Sequence, residues 1–145
     1  MPAKPAKSDG LGPWTERVLP TRIEVIREPE RDVLLRLREL GYNEDCRFAV
    51  RLALEEALVN AMRHGNRMDP VRCVHVGYRI LPQQVEIRVS DEGEGFDPSK
   101  VPDPTADENL AKPSGRGIML MRCYMDEVSY TCGGRQVYMR KARRA

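Results

Sequence analysis

Hydrophobic residues in this chain repeat with two different periods, and the order of these periods restricts the fold. Apolar and polar residues alternate in Thr21–Arg27, Val74–Ile80 and Val85–Val89, which indicates half-buried strands, the last two joined as a hairpin. Between Pro29 and Gly41 the apolar residues recur at helical spacing, which indicates an amphipathic helix that ends at the glycine.

The rest of the chain continues this change of period. A second helix is predicted to begin after Asn43, a suitable N-cap, and to run to Gly65. Gly117–Tyr124 has a helical pattern, and Glu127–Thr131 and Gln136–Arg140 are predicted to close the chain as a hairpin. The order strand, two helices, two strands, loop, helix and two strands predicts an α+β fold. In this two-layer sandwich, helices pack on one face of a mixed, mainly antiparallel sheet.

The length of 145 residues is typical of one domain, which we place at residues 14–145. Residues 1–13 hold three prolines and two glycines among few large apolar groups, so we expect a flexible tail there. Asp91–Ser114 carries four prolines and little apolar content, which predicts a long loop. Loops of this length inside a compact domain are usually functional or disordered.

Composition argues against several classes of protein. The chain carries 24 Lys and Arg against 22 Asp and Glu, a balance that does not indicate a dedicated nucleic-acid or membrane-surface protein. The longest run of aliphatic and methionine residues is only Ile118–Met121, so we expect no membrane span. The N-terminus has no secretory pattern, so we expect a cytoplasmic location. Basic residues near the C-terminus leave nonspecific contact with a nucleic-acid backbone open as a lesser alternative.

The second predicted helix carries the first candidate for chemistry. Glu56 and Asn60 are four residues apart, so they project from nearly the same helix face. A carboxylate can act as a general base, and an amide oxygen is a suitable ligand for Mg²⁺. By itself such a pair is more often a solvated part of a helix surface.

A second motif, Asp91–Phe96, follows directly after a predicted strand. Its glycines, Gly93 and Gly95, let the backbone approach a ligand closely, and the carboxylate of Asp91 can accept a hydrogen bond from an exocyclic amine. The segment does not match a dinucleotide-binding fingerprint, because Pro98 stands where the third glycine is needed.

The third motif, Ser114–Gly117, lies at the start of a predicted helix. Free backbone amides at a helix start favour phosphate binding, and the Arg116 side chain can add charge-assisted hydrogen bonds. Each motif alone is a weak signal, but their order along the chain describes one nucleotide pocket.

Three segments resemble the ATP-binding boxes of the histidine-kinase, gyrase and heat-shock-chaperone ATPase superfamily: Glu55–Asn66, Asp91–Asp97 and Gly115–Arg122. Within that superfamily the chain is most similar to a short branch, the bacterial anti-sigma-factor serine kinases. The resemblance extends from about Ile23 to the C-terminus. It implies the Bergerat-type ATP-binding fold, with ATP and Mg²⁺ as ligands.

The resemblance also implies roles for single residues. Glu56 would be the catalytic general base, Asn60 the magnesium ligand and Asp91 the acceptor of the adenine amine. Residues 97–114 would form a mobile ATP lid. Gly93 and Gly95 would let the backbone pass close to the nucleotide. At the end of the lid, the β and γ phosphates would be held by Gly115, Arg116 and Gly117. Where many relatives place a threonine after the last hairpin glycine, this chain has Arg135.

As a function, the resemblance implies a protein serine/threonine kinase that is also an anti-sigma factor. Such proteins bind a sigma factor and phosphorylate a serine on a small antagonist protein. The resemblance suggests a possible homodimer, and from the composition we expect no direct contact with nucleic acid or with a membrane. The alternative is a non-catalytic ATP-binding module that regulates its partner by binding alone.

Overall fold

The structure is a computed structural model and describes residues 12–94 and 120–144. Its helices are α1 (Arg27–Glu39) and α2 (Glu44–Asn60), and its strands are β1 (Thr15–Pro20), β2 (Cys73–Ile80), β3 (Gln84–Ser90), β4 (Glu127–Thr131) and β5 (Gln136–Ala142). Residues 120–124 are also helical. The strands form one sheet in the order β1-β2-β3-β5-β4, and each of its four ladders is antiparallel. The predicted α+β fold with a mainly antiparallel sheet is confirmed.

The two long helices form where local signals and tertiary burial agree. The side chain of Asn43 accepts a hydrogen bond of 2.8 Å from the backbone N–H of Cys46, so the predicted N-cap of α2 is confirmed. Further along α2, Leu54 and Leu58 are fully buried, and on α1 Val33 and Leu37 are fully buried against the same core. The helices therefore cover one face of the sheet.

The predicted first strand is wrong in its position. Thr21–Arg27 does not form a strand, because Ile23–Ile26 is a 3₁₀ helix that leads into α1. Ile26 is buried and extends the apolar stripe of α1 backwards, so its tertiary contacts outweigh the short alternating pattern. The actual strand, β1, lies just before it and pairs with β2 over six residues, although Leu19 is its one buried residue.

The face of the sheet opposite α1 and α2 carries a buried ion pair. The guanidinium of Arg79 bonds both carboxylate oxygens of Glu86, at 2.8 and 3.1 Å. The ring of Trp14 stacks on the guanidinium groups of Arg79 and Arg88, with ring-centre distances of 4.8 and 4.1 Å. Trp14 therefore packs on the sheet. The predicted tail lies outside the described residues except for 12 and 13, and Gly12 accepts a hydrogen bond from Arg79.

The basic C-terminal segment contacts other parts of the domain at its surface. Arg143 donates to the carbonyl oxygens of Gly41 and Pro82, at 3.1 and 3.3 Å, and lies 5.4 Å from the ring centre of Tyr42. Arg144 pairs with Asp126 at 2.6 Å. These two arginines therefore attach the end of the chain to the domain. Over the ranges 12–94 and 120–144, none of the helices has the length and apolar character needed to cross a bilayer.

A carboxyl group is buried between the two helices. Glu30 on α1 is 8% exposed and forms a hydrogen bond with Glu55 on α2. Burial, together with the nearby charge of Glu55, raises the pKa of Glu30 to about 7, although Arg51 and Arg27 act in the opposite direction. Below this pKa the neutral carboxyl of Glu30 can share its proton with Glu55.

This buried carboxyl predicts a specific pH dependence of stability. Between pH 4.5, the ordinary pKa, and pH 7, the folded state keeps a proton that the unfolded state releases. The free energy of unfolding should therefore fall as pH rises through this window, by up to about 3 kcal/mol before solvent screening is allowed for. The glutamine side chain in Glu30→Gln cannot ionise. The free energy of unfolding of this variant, relative to that of the wild type, should therefore be higher at pH 8 than at pH 4.5.

Urea denaturation of both proteins at the two pH values measures this difference. Glu39→Gln, on the exposed side of the same helix, is the matched control and should show little change with pH. A Glu30→Gln effect of the same size at pH 4.5 and pH 8 would contradict the prediction.

Candidate functional site

The end of α2 places the first two predicted site residues. Glu56 and Asn60 are both half-buried on its last turns, one turn apart as expected. The helix then continues as a π turn, Ala61–Gly65, so the predicted end at Gly65 is reached in a wider helical form. Single π turns inside helices often occur at functional sites.

The π turn packs directly on the strand end that carries the second motif. A Cβ atom on Gly65 would lie 2.2 Å from Oδ2 of Asp91, and one on Gly93 would lie 1.9 Å from the carbonyl oxygen of Gly65. Side chains at either glycine would therefore force the two segments apart. The π turn after α2 and the turn after β3 meet because both positions are glycine. This contact brings the chain that follows Glu56 and Asn60 against the acidic motif.

Asp91 is held in place and keeps one oxygen available. Its backbone N–H donates to the carbonyl oxygen of Arg135 at 3.0 Å, and its Oδ1 accepts from the N–H of Gly93 at 2.8 Å. Its Oδ2 has no hydrogen-bond partner among the described residues. Burial raises the pKa of Asp91, against the opposing effects of the Gly93 N–H, Arg135 and Arg72. The free oxygen can accept a hydrogen bond from a ligand amine.

The surroundings of Glu56 favour uptake of a proton by its carboxylate. Its partial burial, with a further contribution from the neighbouring Glu55, raises the pKa of Glu56 above that of a solvated carboxyl. A carboxylate with a raised pKa binds a proton more readily, which suits general-base catalysis near neutral pH. Glu55 itself points toward Glu30 on α1, so the two adjacent glutamates on α2 have different surroundings.

Comparison with known proteins identifies the family. Residues 19–141 match the family described as the histidine kinase-like ATPase domain. The chain belongs to this family.

Curated members of the histidine kinase-like ATPase family are similar over part of their length. The serine/threonine-protein kinase BtrW of Bordetella bronchiseptica is 31% identical over 86 residues, which cover 58% of this chain and 61% of BtrW. The serine-protein kinase RsbW of Oceanobacillus iheyensis is 26% identical over 95 residues, covering 61% of this chain and 60% of RsbW. The chain thus spans about three fifths of the curated relatives it matches.

A solved structure supports the same fold. The RsbU and RsbW domains of Rv1364c from Mycobacterium tuberculosis superpose with a TM-score of 0.61 at 17% sequence identity. The match covers 92% of this chain and 32% of that chain. At this identity the likeness shows the shared α+β fold of the family.

The donor atoms at the site fit a magnesium ion that is held together with a nucleotide. The side-chain amide of Asn60 makes no hydrogen bond to the described residues, so its oxygen is available as a ligand. In the stretches 12–94 and 120–144, no group of three or more His, Cys, Asp or Glu is placed to hold a metal ion. Mg²⁺ commonly takes one or two protein oxygens and completes its shell with water and phosphate oxygens, which this family's substrate would supply.

The remaining predicted nucleotide-binding residues lie outside the described residues. These are Gly95, Gly115, Arg116 and Gly117, together with the predicted lid at residues 97–114. Their roles stay predictions.

Two residues at the site had no predicted role. Gly65 makes the contact between the helix end and the strand end possible, and Asn66 bonds the backbone of Glu92. Arg135, noted as a departure from the family pattern, anchors Asp91 through its backbone carbonyl, a contact that does not depend on side-chain type. Gly65 and Asn66 both lie within a segment that resembles a family box, Glu55–Asn66. Their residue types alone do not reveal that they contact the turn after β3.

Proposed function

We propose that this chain is an ATP-dependent protein serine/threonine kinase that also acts as an anti-sigma factor. In this proposal it binds a sigma factor and phosphorylates a serine on a small antagonist protein, which regulates transcription by changing how much sigma factor is free. The family, and the names of BtrW and RsbW as serine or serine/threonine protein kinases, support the reaction type.

One observation of the structure carries the proposal. The π turn that follows Glu56 and Asn60 packs against Asp91 through Gly65. This packing supports a single site in which Glu56, Asn60 and Asp91 serve an adenine nucleotide and its metal ion.

Each of these residues has a separate task in the proposed reaction. Asp91 accepts a hydrogen bond from the adenine amine and so orients the nucleotide. Asn60 would hold Mg²⁺, and the ion would supply positive charge to neutralise the phosphate oxygens. Glu56 takes the proton of the substrate serine while the serine oxygen forms its bond to the γ phosphorus. The bond from that phosphorus to the bridging oxygen breaks, and ADP leaves.

The biological setting is part of the same proposal. We place the protein in the cytoplasm, where sigma factors act, and expect a homodimer, without direct binding to nucleic acid or to a membrane. The basic residues Arg143 and Arg144 already contact the domain itself, which supports a structural use of part of the C-terminal segment.

The proposal is tested with the purified chain, γ-labelled ATP, Mg²⁺, and candidate antagonist and sigma-factor proteins. We expect the label to move to a serine of one antagonist, with no transfer when Mg²⁺ is chelated. Capture of a sigma factor and binding of ATP without transfer to any candidate would instead support the alternative, a non-catalytic interaction module. An absence of ATP binding would overturn both.

A further inference from the structure

Asn66 is a fully buried polar residue directly after the π turn, with 0% of its surface exposed. Its side-chain nitrogen donates to Oγ1 of Thr21 at 3.1 Å and to the carbonyl oxygen of Cys73 at 2.9 Å. Its side-chain oxygen accepts from the backbone N–H of Glu92 at 2.8 Å. Both hydrogens of the amide nitrogen and its oxygen are therefore used.

These hydrogen bonds join segments that are distant in sequence. Thr21 precedes α1, Cys73 begins β2, and Glu92 follows β3. The backbone of Asn66 adds a bond of 2.8 Å from its N–H to the carbonyl oxygen of Ala61, which closes the π turn. One buried side chain thus connects the end of the π turn with the start of β2 and the turn after β3.

The partner on the site side is the residue between Asp91 and Gly93. Because Glu92 is covalently linked to both, fixing its N–H also fixes the positions of the Asp91 carboxylate and the Gly93 backbone. The Glu92 side chain is tied separately, by the N–H of Cys73 and by His75, each at 3.0 Å, but this contact is exposed. The bond from the Glu92 N–H to the side chain of Asn66 is partly buried. Such a bond is more costly to lose than an exposed one, because water replaces it less well.

We infer that Asn66 is a positioning residue for nucleotide binding: it holds the Asp91–Gly93 turn against the end of α2 without contacting the nucleotide. The inference rests on the proposed function, since it takes the site to bind ATP. It predicts that Asn66 affects ATP affinity and adenine selectivity much more than it affects the rate of phosphotransfer at saturating ATP.

The test compares Asn66→Ser with Thr21→Val. Serine is too short to reach Glu92, whereas Thr21→Val removes a hydrogen bond to the same amide and leaves the bond to Glu92 in place. We expect Asn66→Ser to raise the Kd of Mg-ATP about tenfold and to reduce the preference for ATP over GTP. Thr21→Val should change that Kd by less than about threefold, even where both variants lose similar stability in urea denaturation.

Two further measurements keep the test decisive if Asn66→Ser folds poorly. Asn66→Asp retains an oxygen toward Glu92 and should bind ATP more tightly than the serine variant. In the wild type, hydrogen exchange should show the Glu92 amide protected even without nucleotide, and rapid exchange there would overturn the inference.

The outcomes separate this inference from the proposed function. A wild type that binds no Mg-ATP would overturn the proposed function. ATP binding that is normal in the wild type and unchanged in Asn66→Ser would overturn the role of Asn66 alone. Equal losses of ATP affinity in Asn66→Ser and Thr21→Val would show a general structural role, which also contradicts the inference.

Discussion

Replacement of Glu56 by glutamine is expected to lower phosphotransfer by about 10²- to 10⁴-fold and to leave the affinity for ATP nearly unchanged. Glutamine has almost the same shape but cannot take the proton of an attacking serine hydroxyl. Single-turnover transfer of labelled phosphate measures the chemical step, and calorimetry with Mg-ATP measures binding. The two quantities should separate in this variant.

Glu55→Gln is the matched control, because Glu55 is adjacent on the same helix but bonds Glu30 on α1. Its phosphotransfer rate should stay within a few-fold of the wild type, as for a residue outside the reacting groups. If Glu56→Gln transferred phosphate at the wild-type rate, the base would lie elsewhere. Loss of ATP binding or of folding in Glu56→Gln would show that Glu56 has a structural task.

The raised pKa of Glu56 sets the direction of the pH dependence of this reaction. The wild-type rate should fall as pH decreases through that pKa, because the protonated carboxyl can no longer accept a proton. This fall should be missing in Glu56→Gln, whose residual rate does not depend on that group.

Asp91→Ala is expected to weaken ATP binding by about 1 to 3 kcal/mol, the usual cost of losing a partner for a buried polar group. The Oδ2 oxygen, which has no hydrogen-bond partner among the described residues, is the acceptor that the adenine amine needs. The variant should also lose its preference for ATP over GTP, because the lost contact distinguishes the base. Calorimetric titration with both nucleotides gives the two results.

Glu94→Ala, an exposed position in the same turn, serves as the control for Asp91→Ala and should bind ATP as the wild type does. Circular dichroism and urea denaturation of Asp91→Ala establish that the fold is retained, since Oδ1 also bonds the N–H of Gly93. Unchanged ATP affinity in a folded Asp91→Ala protein would place the adenine elsewhere.

The local pattern of hydrophobic and turn residues was sufficient to predict the helices and strands that have a strong and continuous period. Helix α1, the hairpin of β2 and β3, and the final hairpin of β4 and β5 were all predicted from hydrophobic period and turn residues, and the cap at Asn43 was predicted from residue type. Strand β1 was missed because an edge strand with one buried residue, Leu19, has almost no periodic signal. The segment that follows β1, Ile23–Ile26, is so short that its apolar residues fit both a strand period and a helical period.

The candidate site also has some features that the sequence predicts and others that it does not. The relation of Glu56 to Asn60 follows from helix geometry, and the place of Asp91 at a strand end follows from the preceding alternation, so both could be predicted from sequence. The raised pKa of Glu56 could not be predicted, because it depends on how deeply packing buries the end of α2.

What the sequence determined by itself was therefore local: the types and order of most elements, and the candidate residues carried by each. The tertiary structure alone decided the contact of Gly65 with Gly93, the bond from Asn66 to Glu92 and the pairing of Glu30 with Glu55. Each of these contacts joins residues more than twenty positions apart. Close packing and the need to satisfy buried polar groups select such contacts only after the helices and strands have assembled.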